Sequence, residues 1–107
     1  MELVQYAIVL VNLDPTLGSE IQKTRPCIIV SPNEMNKYLS TIVIAPMTSN
    51  LKEYPSRVPV YHNEIKGMIA IDQIRTIDKK RILKLLGKLN NTEIKTTKKV
   101  IKETFVD

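Results

Sequence analysis

Four apolar segments, each closed by proline, glycine or polar residues, constrain the fold of this chain most strongly. They are YAIVLVNL (6–13), RPCIIVSP (25–32), STIVIAPMTSN (40–50) and GMIAIDQIRTID (67–78). Their short lengths and many β-branched residues predict buried strands, and their boundaries carry turn signals. The fourth segment is long enough for one long strand or two short ones.

The segments between these strands are more polar. PNEMNKYL (32–39) predicts a short helical turn. Residues 51–67 are polar and interrupted by proline, which is typical of a long loop that leads into an irregular edge strand around 57–61.

The hydrophobic period changes after residue 78. In DKKRILKLLG (78–87), Asp78 as an N-cap and Gly87 as a stop predict a short helix. NNTEIKTTKKVIKETF (90–105) predicts a second helix, because Asn90 and Glu93 have the spacing of a capping box. Its apolar residues recur at helical spacing, so Phe105 is expected to pack in the core.

About five strands followed by a helix predict a mainly β fold, a compact antiparallel barrel capped by the C-terminal helix. At 107 residues, with 43% apolar and 25% charged residues, we expect one globular domain spanning residues 1–107. The N-terminus lacks a signal-peptide pattern and the longest apolar run is only Ala7 to Val11, so we expect a cytoplasmic protein without a membrane segment.

Metal and cofactor chemistry is poorly supported. The chain has one histidine, His62, and one cysteine, Cys27, with no zinc or calcium spacing, and only three glycines. We therefore expect no metal and no cofactor. His62 is interpreted as an ordinary surface-loop histidine, and Cys27, within the apolar run CIIV, as a small buried hydrophobe.

Positive charge is concentrated near the C-terminus. From Arg75 onward the chain has ten lysines and arginines but only four acidic residues, whereas the charges of the first 74 residues nearly balance. This asymmetry is compatible with a polyanionic partner and equally with a solubilising surface. For the lysines of the last helix, a solvated helix face is the favoured interpretation.

The remaining candidates for chemistry are polar residues at the ends of predicted strands. They are Glu20 and Arg25 beside the first long loop, Thr48 and Ser49 after the third strand, and the segment DQIRT (72–76). Structural roles remain open for each. Arg25 could pair with Asp72 or Glu20, the two hydroxyls could satisfy a turn, and Gln73 could simply face solvent.

Three of these segments resemble one known family. NLDPTLGSEIQKTRPCIIVSP (12–32), APMTSN (45–50) and IDQIRTID (71–78) are similar, in this order and spacing, to the MazF/PemK (Kid) toxins of type II toxin-antitoxin systems. The resemblance implies an SH3-like barrel and a homodimer. It also implies a metal-independent, sequence-specific endoribonuclease that cuts single-stranded mRNA by attack of the substrate's 2′-hydroxyl, with an antitoxin partner.

The resemblance also implies site residues. Arg25 and Thr48 match functional residues of the family, and they suit a phosphate clamp and a hydroxyl donor. Glu20 is the expected proton acceptor, which depends on closure of its loop over RNA. Expected RNA contacts are Ser19, Lys23, Thr24, Ser49, Asn50, Gln73 and Arg75.

Aromatic residues are scarce, with four tyrosines, one phenylalanine and no tryptophan. Base recognition is therefore expected to depend mainly on hydrogen bonds, and Tyr54 and Tyr61 are the candidates for stacking. Many family members also carry glycine and an acidic residue where this chain has Tyr6 and Ala7. An alternative remains on the same fold, a non-enzymatic toxin that binds DNA gyrase like CcdB through the C-terminal end of its helix.

Overall fold

A computed structural model describes residues 2–15, 17–21, 23–63 and 65–106. The elements are β1 (Ala7–Asn12), β2 (Thr24–Ile29), α1 (Asn33–Tyr38), β3 (Thr41–Thr48), β4 (Arg57–His62), β5 (Ile65–Ala70), β6 (Arg75–Asp78), β7 (Ile82–Lys88) and α2 (Asn91–Phe105), with 3₁₀ turns at Ile71–Gln73 and Lys79–Arg81. The predicted mainly β class with a C-terminal helix is confirmed, and so are the four strand-forming segments and the short turn α1. The fourth segment forms two strands, β5 and β6, joined by the first 3₁₀ turn.

The strands form one curled antiparallel sheet in the order β4-β5-β3-β2-β1-β7, with β6 also paired to β3. Alternate residues of β1, β2 and β3 enter two buried clusters, as the strand period of two requires. The first cluster packs under α2 and includes Ile28, Met47 and Val100, whereas the second includes Cys27 and Ile44.

The predicted helix at 78–87 is wrong. Asp78 does act as an N-cap, but its carboxylate accepts from the Lys80 amide (2.8 Å) and begins a single 3₁₀ turn rather than an α-helix. The residues that follow form β7, which pairs with β1 and supplies one edge of the sheet. Intrinsic helix propensity is only a weak preference, and hydrogen-bonded pairing with β1 overrides it here.

The capping box of α2 is confirmed, because the Asn90 side chain accepts from the Glu93 amide (2.8 Å) and the Glu93 carboxylate accepts from the Asn90 amide (3.0 Å). The second oxygen of Glu93 accepts from the Tyr61 amide at 3.3 Å, so the same carboxylate ties α2 to β4. The expected core position of Phe105 is wrong, since this side chain is 58% exposed. Among the described residues, no helix is both long enough and apolar enough to cross a membrane.

The predicted edge strand near residue 57 is confirmed as β4, and its outer edge offers little for another strand to bind. The Arg57 amide donates to the Tyr54 carbonyl (3.0 Å), Pro59 has no amide hydrogen, and the Tyr61 amide donates to Glu93. These three residues alternate along the strand, so each donor directed away from β5 is used or missing.

The imidazole of His62 lies against Gly87, where β4 and β7, the two outer strands of the sheet order, approach each other. A Cβ atom at Gly87 would lie 2.6 Å from His62 Cε1 and 3.1 Å from Cδ2. The interpretation of His62 as a surface-loop residue is therefore wrong. It ends β4, it is half-buried, and its buried Nε2 has no hydrogen-bond partner within the described part of the chain.

Candidate active site

Strand pairing brings three of the predicted site residues to one end of the second core cluster. Cys27 pairs with Pro46, and Arg25 and Thr48 each lie two residues beyond that pair. Arg75 pairs with Ile44 on the other side of β3. Because side chains alternate between the faces of a strand, Arg25, Thr48 and Arg75 all share the face of Cys27 and Ile44.

Arg75 is half-buried between the strand ends and the first loop. Its Nη1 donates to the Leu13 carbonyl at 3.4 Å. Cys27 lies beside it, and burial raises the pKa of this thiol to about 12, although the Arg75 charge acts in the opposite direction. Cys27 is fully buried, as predicted, and is a packed thiol with little thiolate character.

Gln73 connects this strand end to the first long loop. Its Oε1 accepts from the Ile21 amide at 2.8 Å, so it does not simply face solvent. A cleft of about 390 Å³ lies between the loop and the sheet. It is lined by Ser19, Glu20, Ile21, Pro46, Asp72, Gln73, Ile74 and Arg75.

The loop itself is held by local hydrogen bonds. The Glu20 Oε1 accepts from the Leu17 amide at 2.8 Å, and the Asp14 carboxylate accepts from the Lys23 amide at 2.8 Å. Lys23 has a positive φ of 69°, which closes the loop onto β2. Gln22, which belongs to the loop expected to close over RNA, lies outside the described residues.

Thr48 ends β3 with its hydroxyl in a defined role. The Oγ1 accepts from the Asn50 amide at 3.2 Å, and the Asn50 side chain accepts from the Lys52 amide at 3.0 Å. Since the Thr48 oxygen is the acceptor in that bond, its hydrogen is available for donation to a ligand. The turn role considered for Thr48 is thus compatible with a second role.

The structure divides the predicted site residues into three groups. Four of them line the cleft, namely Ser19, Glu20, Gln73 and Arg75. Arg25 and Thr48 lie at neighbouring strand ends, whereas Lys23, Thr24, Ser49 and Asn50 are exposed residues around them.

One ion pair beside the cleft was missed from the sequence. Asp72 accepts from Arg57 Nε (2.8 Å) and Nη2 (3.2 Å), and from the Ser56 hydroxyl (2.9 Å). The hydrogen bond from Arg57 is the main reason that the pKa of the Asp72 carboxyl lies below its ordinary value. In the sequence, the one sign of this pair was a serine and an arginine at the start of the expected edge strand.

No group of three His, Cys, Asp or Glu residues within the described ranges is arranged to hold a metal ion. The cleft lining includes Arg75, Gln73 and two carboxylates, and the neighbouring strand ends supply Arg25 and Thr48, so two arginines, an amide and a hydroxyl lie in this region of the sheet. Such a set can bind phosphoryl oxygens through charge-assisted hydrogen bonds.

Comparison with known proteins identifies the family. Residues 4–105 match the family described as "PemK-like, MazF-like toxin of type II toxin-antitoxin system". The chain belongs to this family. It is also 31% identical over 100 residues to Endoribonuclease MazF of Staphylococcus saprophyticus, covering 88% of this chain and 83% of that relative.

Solved structures share the family fold. MazF from Deinococcus radiodurans aligns with a TM-score of 0.83 at 22% identity, covering 94% of this chain and 93% of that one. An endoribonuclease from a mycobacterial species, solved in complex with its cognate antitoxin, aligns with a TM-score of 0.80 at 18% identity and covers 94% and 91% of the two chains. The predicted MazF/PemK family and barrel type are confirmed, and the CcdB-like alternative is not favoured.

Proposed function

We propose that this toxin is an endoribonuclease that cuts single-stranded mRNA in the cytoplasm, without a metal ion, and so arrests translation and growth. Its membership of the MazF/PemK family supports the activity. The observation that carries the proposal is the shared strand face of Arg25, Thr48 and Arg75, of which Arg75 also lines the cleft of about 390 Å³.

The proposed reaction uses the RNA's own 2′-hydroxyl as nucleophile. Its oxygen bonds to the adjacent phosphorus, the bond from phosphorus to the 5′-oxygen breaks, and the products carry a 2′,3′-cyclic phosphate and a 5′-hydroxyl. Negative charge grows on the non-bridging oxygens in the transition state, where fixed donors are most effective. Arg25 acts as the clamp on these oxygens, and Thr48 donates its hydroxyl hydrogen to one of them.

Two proton transfers complete the reaction. Arginine stays protonated at all ordinary pH values, so Arg25 can donate to the leaving 5′-oxygen but is a poor base. Glu20 is the proposed acceptor for the 2′-hydroxyl proton. Because its Oε1 already accepts from the Leu17 amide, Oε2 is the oxygen that takes the proton, after the loop closes over RNA.

RNA contacts are proposed around this centre. Arg75 binds the RNA backbone, and Gln73, whose oxygen accepts from Ile21, can offer its side-chain NH₂ to a base. The remaining proposed contacts are Ser19, Lys23, Thr24, Ser49 and Asn50. Splayed bases of single-stranded RNA suit exposed loop side chains of this kind.

An antitoxin protein and a second copy of this chain are the proposed partners. One neighbour of similar fold was solved in complex with its cognate antitoxin, which supports the first. An acidic, partly disordered antitoxin segment would complement the basic surface of this toxin, which has a net charge of +5. If co-expression of the adjacent small gene failed to relieve toxicity, this assignment would be wrong.

The decisive experiment maps cleavage ends on a long RNA in the presence of EDTA. We expect cuts within one short sequence, with 2′,3′-cyclic phosphate ends. Arg25→Ala should lower the cleavage rate by at least about 100-fold, while Lys95→Ala, which removes the same charge from the exposed face of α2, should cut normally. Cleavage that stops with EDTA, or an unimpaired and folded Arg25→Ala variant, would refute the proposal.

A further inference from the structure

A second and larger cleft, of about 640 Å³, lies on the outer face of the β4–β5 hairpin. Pro59 pairs with Met68 and Tyr61 pairs with Lys66, so these cross-strand neighbours form its floor and one end. Tyr54 and Arg57 line its other end. This volume falls within the range of ordinary ligand sites.

Two of the four tyrosines of the chain line this cleft and expose much of their rings. Tyr61 is 65% exposed and Tyr54 is 44% exposed. The Tyr54 ring is held in place, since Lys52 Nζ and Arg57 Cζ each lie 5.3 Å from its centroid. An aromatic ring that is exposed beside cationic side chains is the usual platform for a nucleobase and its phosphate.

The larger cleft neighbours the candidate active site across the strands of the sheet. Thr48 pairs with Met68, and Met68 pairs with Pro59, so one row of side chains crosses β3, β5 and β4 on the same face of the sheet. Two strand spacings separate the ends of this row, about 10 Å. Arg57 of the larger cleft also bonds to Asp72, which lines the smaller one.

The outer edge of β4 argues against a peptide that binds by strand addition. Arg57 and Tyr61 have used their outward amide hydrogens and Pro59 has none. A ligand in this cleft is therefore bound mainly by side chains. A nucleobase that stacks on Tyr61, with its phosphate near Lys66, satisfies that condition, because such binding needs no hydrogen bonds to the backbone of β4.

We propose that the larger cleft is a nucleobase subsite, in which Tyr61 stacks on a base that flanks the cleavage position and Lys66 contacts the adjoining phosphate. The subsite rests on the proposed function. It would extend RNA recognition beyond the nucleotides held at Arg25 and Thr48, and it would be tolerant of base identity, because every base has a face that can stack.

Binding is tested with RNA oligonucleotides that carry a 2′-deoxy residue at the cleavage position, so that they cannot be cut. We expect Tyr61→Ala to weaken binding roughly 5- to 100-fold, the range of one lost base stack. The RNA affinity of Tyr61→Phe should stay within about twofold of that of the wild type, because phenylalanine keeps the aromatic ring. Tyr38→Ala is the matched control, since this tyrosine is 76% exposed on α1, away from the cleft.

An abasic scan identifies the stacked nucleotide. An abasic residue at one flanking position should weaken binding to the wild type and should remove the difference between the wild type and Tyr61→Ala. Equal affinity of both proteins for every oligonucleotide would overturn the subsite. So would a Tyr61→Ala effect confined to antitoxin affinity or to oligomeric state in light scattering, which would assign the cleft to a protein.

Failure of the subsite and failure of the proposed function give different results. If the wild type neither cuts nor binds RNA, the proposed function fails and the subsite falls with it. If the wild type cuts RNA at one sequence and Tyr61→Ala does so with the same KM and kcat, only the subsite is refuted.

Discussion

A methyl group added at Gly87 should destabilise the fold through one identifiable contact. The new Cβ would lie 2.6 Å from Cε1 of His62 and closer still to Nε2, far inside van der Waals contact. Overpacking of this kind typically costs about 1–3 kcal/mol. The replacement of glycine within a strand recovers about 0.5–1 kcal/mol, so we expect Gly87→Ala to lower the free energy of unfolding by up to about 2 kcal/mol.

A double-mutant cycle separates this clash from other effects. In a His62→Ala background the clashing atoms are absent, so Gly87→Ala should become neutral or slightly stabilising. The interaction energy between the two sites should therefore be about 2 kcal/mol, well above the roughly 0.5 kcal/mol scatter of independent sites. Urea denaturation of the four proteins measures it, and in thermal melts Gly87→Ala alone should lower the midpoint by up to roughly 15 °C.

Additivity would refute this reasoning. If Gly87→Ala destabilised the His62→Ala protein as much as the wild type, the clash would lie with the backbone of β1 or β7 rather than with the imidazole.

Three further predictions concern the ion pair, the strand behind the site and the helix cap. The pKa of Asp72 is lowered in the fold, so the stabilisation from its ionised form is present above the unfolded pKa and is lost as pH falls. Asp72→Asn should cost about 1 kcal/mol at pH 7, and its difference from the wild type in urea denaturation should shrink as the pH falls below about 4, the pKa of an unperturbed aspartate. Gly67→Ala places a Cβ 2.9 Å from the Thr48 carbonyl oxygen, which should displace this strand end. We therefore expect kcat for RNA cleavage to fall roughly tenfold with a smaller change in KM. An unchanged kcat would show that Thr48 takes no part in the reaction. Asn90→Ala should destabilise by about 1 kcal/mol while Asn90→Asp should not, as measured by urea denaturation, and equal stabilities would show that the cap is unimportant.

The parts of the fold that the sequence predicts are those with local signals. Short β-branched runs between turn residues indicate strands, and the Asn90–Glu93 spacing indicates the start of α2. β7 was missed because its residues, rich in leucine and lysine, also suit a helix. Only pairing with β1, more than 70 positions earlier in the chain, selects a strand.

The candidate site shows the same division. Arg25, Thr48 and Gln73 were selected by their motifs, but motifs do not show which atoms meet. The bond from Ile21 to Gln73 spans 52 positions and the pair between Arg57 and Asp72 spans 15. Such contacts depend on strand register and curvature, which the sequence does not display locally.

Cys27, buried beneath Arg75, gives this protein a built-in reporter of native-state opening. Its thiol is fully buried and its pKa is raised to about 12, so a thiol-specific reagent should react only in molecules where β2 has separated from its neighbours. It is the single cysteine of the chain, so the labelling signal comes from one known position. The labelling rate, measured with and without RNA, would therefore show how strongly a bound substrate holds the centre of the sheet closed.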